Sequence, residues 1–231
     1  MRPVDKGTAP DQAFTQYRDA FPMLRDRIGP YCSYCERRLP VNLAIEHLVP
    51  KSLEPGLALK WENFLLGCTN CNSTKGDKPV IASGCLWPDR DNTMRAFVYR
   101  EGGFVEIGAG LASEVYQMAL MLRDLVGLDR HPGGPGTPPT QADERWRQRE
   151  EIFELALSYR KRLAQVDQSH LEVFQDAIAD LARQSGFFSV WMTVFEHDQD
   201  MRRRFISSFT GTCSLCFDQH GNPVARPGGA L

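Results

Sequence analysis

Two Cys-x-x-Cys pairs constrain the fold of this chain more than any other feature of its sequence. They are Cys32–Cys35 and Cys68–Cys71, and 32 residues separate them. Each pair can direct two thiolates at one centre from a tight turn, and four thiolates complete the tetrahedral shell that structural zinc prefers. Because the protein supplies all four ligands, the sequence predicts a structural zinc with no position open to water. The alternatives are two unrelated pairs of core cysteines or a redox dithiol.

The remaining composition is that of an ordinary globular protein, with 42% hydrophobic and 24% charged residues. Seven cysteines are an odd number for a disulfide framework. Residues 1–10 lack the apolar core of a secretory signal, and no apolar run is long enough to span a membrane. We therefore expect a cytoplasmic protein. Its formal net charge of −2 argues against tight, unaided binding of nucleic acid over the whole surface, so a partner is expected to contribute to substrate binding.

The stretch 31–80 is broken by Pro, Gly and Cys and is too short to build a core from side chains alone. Strand-like runs cover 44–49 and 61–67, and a helix is expected to begin near Cys71 or Asn72. Zinc binding can replace the missing core energy of such a unit.

The flanking sequence favours helices. Apolar periodicity predicts a helix over 11–28, interrupted or restarted at Pro22, and a hairpin is expected from runs at 96–99 and 104–107. Further helices are predicted at 111–127, 140–163, 169–184 and 187–209. The predicted class is therefore α+β and mostly helical, with four parts: an N-terminal helical segment 1–30, a zinc-stapled module 31–80, a β-hairpin extension 81–108 and a larger helical region 109–231.

Chemistry-bearing residues lie between and beside the cysteine pairs. Glu46-His47 is followed by Asn63 and then by Asn72, directly after the second pair. A lone Glu-His dipeptide is more often a solvated strand end than a site. Its combination with the two asparagines and the flanking cysteine pairs favours a functional site.

Residues 31–80 resemble the HNH, or ββα-metal, endonucleases, in the variant where Asn replaces the last His and four cysteines bind zinc. The matching residues are the two cysteine pairs, Glu46-His47-x-x-Pro50, Asn63 and Asn72-x-x-Lys75-Gly76. Glu stands before the histidine where Asp is commoner, and the final Asn favours Mg²⁺ over a soft metal.

More narrowly, the chain is similar to the HNH subunits of Septu-type and retron-associated anti-phage systems. The residues that carry this likeness are Tyr34-Cys35-Glu36-Arg37, Glu46-His47 with Pro50-Lys51, and Cys71-Asn72-Ser73-x-Lys75-Gly76. The nuclease of such systems works beside an ATPase, so the resemblance implies a prokaryotic defence protein with an ATPase partner.

The residues themselves fit phosphodiester hydrolysis. His47 has an unperturbed pKa of about 6.5 and can act as a general base toward water at cellular pH. Glu46 and Asn72 offer hard oxygen ligands to one Mg²⁺ or Mn²⁺. Lys75, one turn after Asn72, is a candidate phosphate contact together with Lys51. By resemblance, Asn63 fixes the hairpin and orients His47.

Three functions fit these residues. The leading one is a metal-dependent endonuclease with DNA as a more probable substrate than RNA. The second is a free-standing restriction-like nuclease, and the third is a zinc-stapled nucleic-acid-binding module that does not cut. The complete set of catalytic residues argues against the third, and the lack of a strongly basic recognition helix argues against the second.

Two other motifs fall outside this set. Cys213–Cys216, with His220 nearby, would need a fourth ligand such as Cys85 to bind a second zinc, and half-buried thiols are the favoured interpretation. Arg202–Arg204 is expected to lie on a solvated helix face rather than to contact nucleic acid or a partner.

Overall fold

A computed structural model describes residues 1–231. Helices dominate it, and two small two-stranded sheets complete it, which confirms the predicted α+β, mostly helical class. The strands are β1 Leu43–His47, β2 Phe64–Cys68, β3 Phe97–Tyr99 and β4 Val105–Ile107. The helices are α1 Phe21–Ile28, α2 Thr69–Lys75, α3 Ser113–Val126, α4 Arg145–Leu163, α5 Leu171–Ser185, α6 Phe188–Val194 and α7 Gln199–Ser208. No helix is both long and apolar enough to cross a membrane.

Strands β1 and β2 and helix α2 form a ββα unit within the predicted module. The two strands are antiparallel, with His47 opposite Phe64 and Leu43 opposite Cys68. Every residue of β2 is buried, as its uninterrupted apolar run implies. Helix α2 follows β2 without a loop, so the unit places the end of β1 beside the first turns of α2.

The N-terminal helix is shorter than its apolar periodicity predicted. Only a 3₁₀ turn over Tyr17–Ala20 and α1 are helical, and the prediction of helix from residue 11 was wrong. The Asp19 carboxylate accepts hydrogen bonds from the backbone N–H groups of Thr15 and Gln16, which caps the helical segment at that point. Pro22 lies in the first turn of α1, where its missing N–H costs no helical hydrogen bond.

Other helix boundaries also differ from the sequence prediction, and α4 begins at Arg145 rather than at Thr140. The single helix expected over 187–209 is two helices, because Asp198 accepts a hydrogen bond from Met201 N–H and starts α7 anew. Helix α2 begins at Thr69 rather than near Cys71, because the Cys68 sulfur accepts from the Cys71 N–H and caps the helix. The second cysteine pair therefore spans the N-terminal turn of α2.

The hydrophobic core is shared between the module and the rest of the chain. The larger apolar cluster joins the ββα unit to residues of the N-terminal segment, the β3–β4 hairpin, α3 and the C-terminal residue. A smaller cluster fills the space between α4, α5, α6 and α7. The module is thus packed as part of a larger body.

Glu36, directly after the first cysteine pair, is the main polar link in this packing. Its backbone is left-handed, with φ of 65°, and its side chain is 2% exposed. The carboxylate accepts hydrogen bonds from Arg2 N (2.7 Å), Tyr99 Oη (3.2 Å), Ser189 N (2.7 Å) and Ser189 Oγ (2.6 Å). One buried side chain therefore connects the first cysteine pair to the N-terminal segment, to β3 and to α6.

Candidate active site and metal centre

The four predicted zinc ligands converge on one point. The sulfur atoms of Cys32, Cys35, Cys68 and Cys71 are buried and lie within 4.8 Å of one another. Cys35 Sγ and Cys68 Sγ are 3.7 Å apart, close to the edge of about 3.8 Å that a tetrahedron with Zn–S distances of about 2.3 Å requires. The cluster fits a structural zinc and has no place for a catalytic water.

Arg145 of α4 reaches this cluster from outside the module. Its side chain is buried, and Nη1 donates a hydrogen bond to Cys71 Sγ at 3.1 Å. The Asp143 carboxylate and the Val126 and Gly127 carbonyls hold the same guanidinium in place. Four thiolates on one Zn²⁺ carry a net negative charge, which a guanidinium in this position offsets. No local sequence pattern marks Arg145, since its partner lies 74 residues away.

A cleft of about 290 Å³ opens beside the ββα unit. It contains five of the six predicted non-zinc site residues, and the sixth, Asn63, is buried and does not line it. The lining residues are Tyr17, Ile45, Glu46, His47, Pro50, Lys51, Ser52, Asn72, Lys75, Gly76 and Asp77.

His47 has one ring nitrogen engaged and one free. Its Nε2 lies 3.1 Å from the Ala58 carbonyl oxygen. Because a carbonyl can only accept, Nε2 carries the hydrogen and Nδ1 keeps its lone pair. The ring packs edge-on between Tyr17 and Phe64, with centroid distances of 5.1 and 5.2 Å. Burial lowers the pKa of His47, so the neutral, proton-accepting form prevails at neutral pH.

Asn63 makes its hydrogen bonds to the loop that contains the hydrogen-bond partner of His47. Its buried amide accepts from Val49 N at 2.8 Å and donates to the Val49 and Leu57 carbonyls at 2.9 and 3.2 Å. Leu57 directly precedes Ala58, the hydrogen-bond acceptor of His47. Asn63 is therefore connected to the histidine only through the loop backbone.

Glu46 and Lys75 form a buried ion pair at the inner wall of the cleft. Lys75 Nζ lies 2.8 Å from Glu46 Oε1, and both side chains are almost fully buried. Burial raises the pKa of Glu46, and the Lys75 ammonium opposes that rise. The sequence interpretation of Lys75 as a phosphate contact did not foresee this pairing.

Glu46 and Asn72 also suit a divalent cation. Both side chains line the same cleft, and they offer a carboxylate and an amide oxygen. One carboxylate and one amide leave coordination positions for water and phosphate, which is the donor set that Mg²⁺ favours.

Tyr17 is a cleft residue that sequence reasoning missed. Its ring contacts His47, and Lys51 Nζ lies 4.0 Å from its centroid in a cation–π contact. In the sequence, Tyr17 is recognisable only as one of several apolar residues on a predicted N-terminal helix.

The remaining candidate motifs lie away from the cleft. Cys213 and Cys216 are fully buried rather than half-buried, and His220 contacts Gln199 and Gln219 instead of the thiols. Cys85 donates to the Leu86 carbonyl.

The prediction that Arg202–Arg204 lie on a solvated helix face was wrong at one position. Arg202 is buried and donates to the Glu196 and Gly221 carbonyls, so the expectation of a solvated face was wrong for this residue. Arg203 and Arg204 pair with Asp200 on the outer side of α7.

Comparison with known proteins places this site in a class. Residues 32–78 match the model of the HNH endonuclease family, so the chain carries an HNH endonuclease domain. Over 74 residues the chain is also 42% identical to the Septu protein PtuB of Bacillus thuringiensis. That match covers 29% of this chain and 29% of the relative, so the chain spans less than a third of the length of the protein it matches. Both findings confirm the resemblance drawn from the sequence motifs.

Proposed function

We propose that the chain is a metal-dependent endonuclease that hydrolyses phosphodiester bonds of DNA. The observation that carries this proposal is His47, whose Nε2 is engaged by the Ala58 carbonyl while Nδ1 is free, in a cleft with Glu46 and Asn72. A histidine in that tautomer is ready to accept a proton from water. The HNH domain match supports the same chemistry.

In the proposed mechanism His47 Nδ1 takes a proton from a water molecule, which attacks the phosphorus in line with the leaving 3′-oxygen. Glu46 and Asn72 would hold one Mg²⁺ or Mn²⁺ ion, which supplies positive charge at the phosphate and the leaving oxygen. Asn63 keeps the Ala58 carbonyl in position, so His47 reacts from a fixed orientation. Lys51 adds a positive charge at the cleft wall.

We further propose that the nuclease acts in prokaryotic anti-phage defence together with an ATPase partner. The partial identity to a Septu protein supports this role. The mixed charge of the helical region and the net charge of −2 suit a chain whose partner contributes to substrate binding. The helical region 109–231 would then serve as the docking and regulatory platform.

The general-base role is tested by His47→Ala, assayed on plasmid DNA with Mg²⁺ or Mn²⁺. We expect cleavage to fall by about 10²- to 10⁴-fold, with zinc content unchanged because His47 does not contact the cysteine cluster. The matched control is His131→Ala, because His131 Nε2 also donates to a carbonyl, that of Gly102 at 2.9 Å, but lies outside the cleft. Activity of His47→Ala above a tenth of the wild-type rate would exclude the general-base role.

The metal-binding role is tested by Glu46→Gln and Asn72→Ala. Both changes weaken the donor set, so each variant should need more Mn²⁺ for half-maximal cleavage and should recover part of its activity at saturating Mn²⁺. Metal titrations that superimpose on that of the wild type would show that these residues are not the ligands.

Substrate and partner are tested together. The purified chain is assayed on duplex DNA, single-stranded DNA and RNA, alone and with the product of a neighbouring ATPase gene. We expect co-purification with the ATPase and a gain in DNA cleavage when it is present. Full-rate cutting of one DNA sequence by the chain alone would favour the restriction-like nuclease instead, and tight binding without cutting would favour the zinc-stapled binding module.

A further inference from the structure

We propose that a groove beside the cleft is a subsite for one unstacked nucleobase next to the scissile phosphate. This inference rests on the proposed nuclease function and specifies which part of the substrate the chain recognises. The groove has a volume of about 410 Å³, within the range of about 300–1,000 Å³ that small-molecule sites occupy. The lining residues are Tyr17, Arg18, Phe21, Leu43, Ala44, Ile45 and Asn72.

The groove and the cleft are continuous. Tyr17, Ile45 and Asn72 line both of them, so a ligand can enter the groove while an attached group stays in the cleft. Because the cleft holds His47 and Glu46, the attached group is the phosphate that is to be cut. The groove therefore lies at the position of a nucleotide flanking that phosphate.

The walls of the groove suit a flat aromatic ligand. Tyr17, on a 3₁₀ turn, and Phe21, at the start of α1, both line the groove. Phe21 and Leu43 are only partly covered by the rest of the chain. Aromatic side chains bind bases by stacking, and this contact tolerates any sequence because every base has a π-face.

Charge distinguishes a nucleotide from other apolar ligands. Arg18 is exposed at the groove, and Lys51 lies against the Tyr17 ring at the junction with the cleft. A lipid chain or an apolar peptide carries no negative charge that would pair with two cations at this junction. The phosphates on either side of a base do carry such charge. A base inside a duplex has no free face, so the groove favours single-stranded or locally opened DNA.

The test compares two single strands of equal length and charge, binding to the full chain. One is a short thymidylate strand, and the other has the same phosphates but abasic sugars throughout. Fluorescence anisotropy is measured in buffer without added divalent cation, and gel electrophoresis verifies that the probes stay intact. We expect the thymidylate strand to bind at least about fivefold more tightly than the abasic strand.

Two variants assign this preference to the groove. Ala44→Trp fills the groove from an exposed strand position that does not line the cleft, and Phe21→Ala removes one wall. Both variants should bind the thymidylate strand only as tightly as the abasic strand, and their affinity for the abasic strand should equal that of the wild type. Val41→Trp is the matched control, because Val41 is 69% exposed on the same segment and does not line the groove. Circular dichroism and zinc content check that each variant is folded.

Two results would overturn the subsite. One is equal binding of the thymidylate and abasic strands by the wild-type chain, and the other is tighter binding of the thymidylate strand that persists in both groove variants. The binding assay does not depend on cleavage, so failure of the nuclease proposal is recognised separately. A chain that prefers bases through the groove but cuts no nucleic acid would retain the subsite and lose the nuclease assignment.

Discussion

At the scale of single residues, Asn63 is connected to His47 without lining the cleft. Asn63→Ala removes its hydrogen bonds to Val49 and Leu57 and leaves partly buried backbone groups without these partners. We expect a loss of stability of about 1–3 kcal/mol and a fall in kcat larger than the change in KM, because the Ala58 carbonyl would no longer hold His47.

Asn63→Asp is the informative second variant. Its carboxylate can still accept from Val49 N but cannot donate to the Val49 and Leu57 carbonyls. Urea unfolding and steady-state kinetics measure both variants. If stability falls in both while kcat stays at the wild-type value, Asn63 does not position the histidine.

Arg145 is expected to control zinc retention from outside the module. Arg145→Met keeps the bulk of the side chain but removes the donor to Cys71 Sγ, and such outer partners typically contribute about 10- to 100-fold to metal affinity. Competition with a colorimetric zinc chelator measures this loss.

Arg149→Met is the matched control for that change. Arg149 lies one turn later in α4, is equally buried and donates to the Gly103 and Leu128 carbonyls, with no hydrogen bond to a cysteine. The control should lower the melting temperature without changing zinc affinity. Equal zinc loss in both variants would mean that Arg145 acts only through general stability.

The sequence predicted those site residues that lie at short, characteristic spacings from one another along the chain. The four clustered cysteines belong to this group, as do Glu46, His47 and Asn72, which share one cleft. Tyr17, Glu36 and Arg145 could not be assigned their contacts in this way. Tyr17 meets His47, Glu36 meets Ser189 and Arg145 meets Cys71 only after the chain has folded back over long separations.

At the scale of elements, the contact between β1 and β2 sets the position of Glu46. A Cβ on Gly67 of β2 would lie 3.2 Å from Glu46 Cβ, closer than most real Cβ contacts. Gly67→Val should therefore displace Glu46 from Lys75 and raise the Mn²⁺ concentration needed for half-maximal cleavage.

Gly56→Ala provides the control, since a Cβ there meets no atom within 4 Å. Metal titrations of both variants give the comparison. An unchanged Mn²⁺ dependence of Gly67→Val, in a folded and zinc-loaded protein, would show that Glu46 tolerates the displacement or does not bind metal.

Element type was more predictable than element ends. Apolar periodicity indicated the ββα unit, the β3–β4 hairpin and the long helices α3, α4 and α5. Apolar periodicity predicted too long an N-terminal helix and joined α6 and α7 into one helix. The apolar pattern continues through both places, whereas the capping hydrogen bonds of Asp19 and Asp198 start a new helical segment there. A cap is a single local hydrogen bond, and periodicity does not record it.

At the scale of the whole molecule, the module depends on the rest of the chain for its core. Trp61 and Phe64 pack against Phe14, and Glu36 is held by Tyr99 and by residues further along the chain. We expect an isolated 31–80 fragment to expose these apolar side chains and to aggregate or lose zinc. Zinc stoichiometry and amide spectra of the fragment measure this. A monomeric fragment with dispersed signals and one bound zinc would instead establish the module as an independent domain.

The loop between His47 and Asn63 has two halves of different character. Residues 51–56 are all exposed, whereas the second half carries the Ala58 and Leu57 carbonyls that hold His47 and Asn63. The exposed side chain at Glu54 is therefore free to change, whereas one residue added directly before β2 would turn every β2 side chain to the opposite face. A dye attached to a cysteine that replaces Glu54 would lie two residues from Ser52 of the cleft and report on substrate arrival, while the backbone hydrogen bond from Leu57 N to the Glu54 carbonyl stays in place.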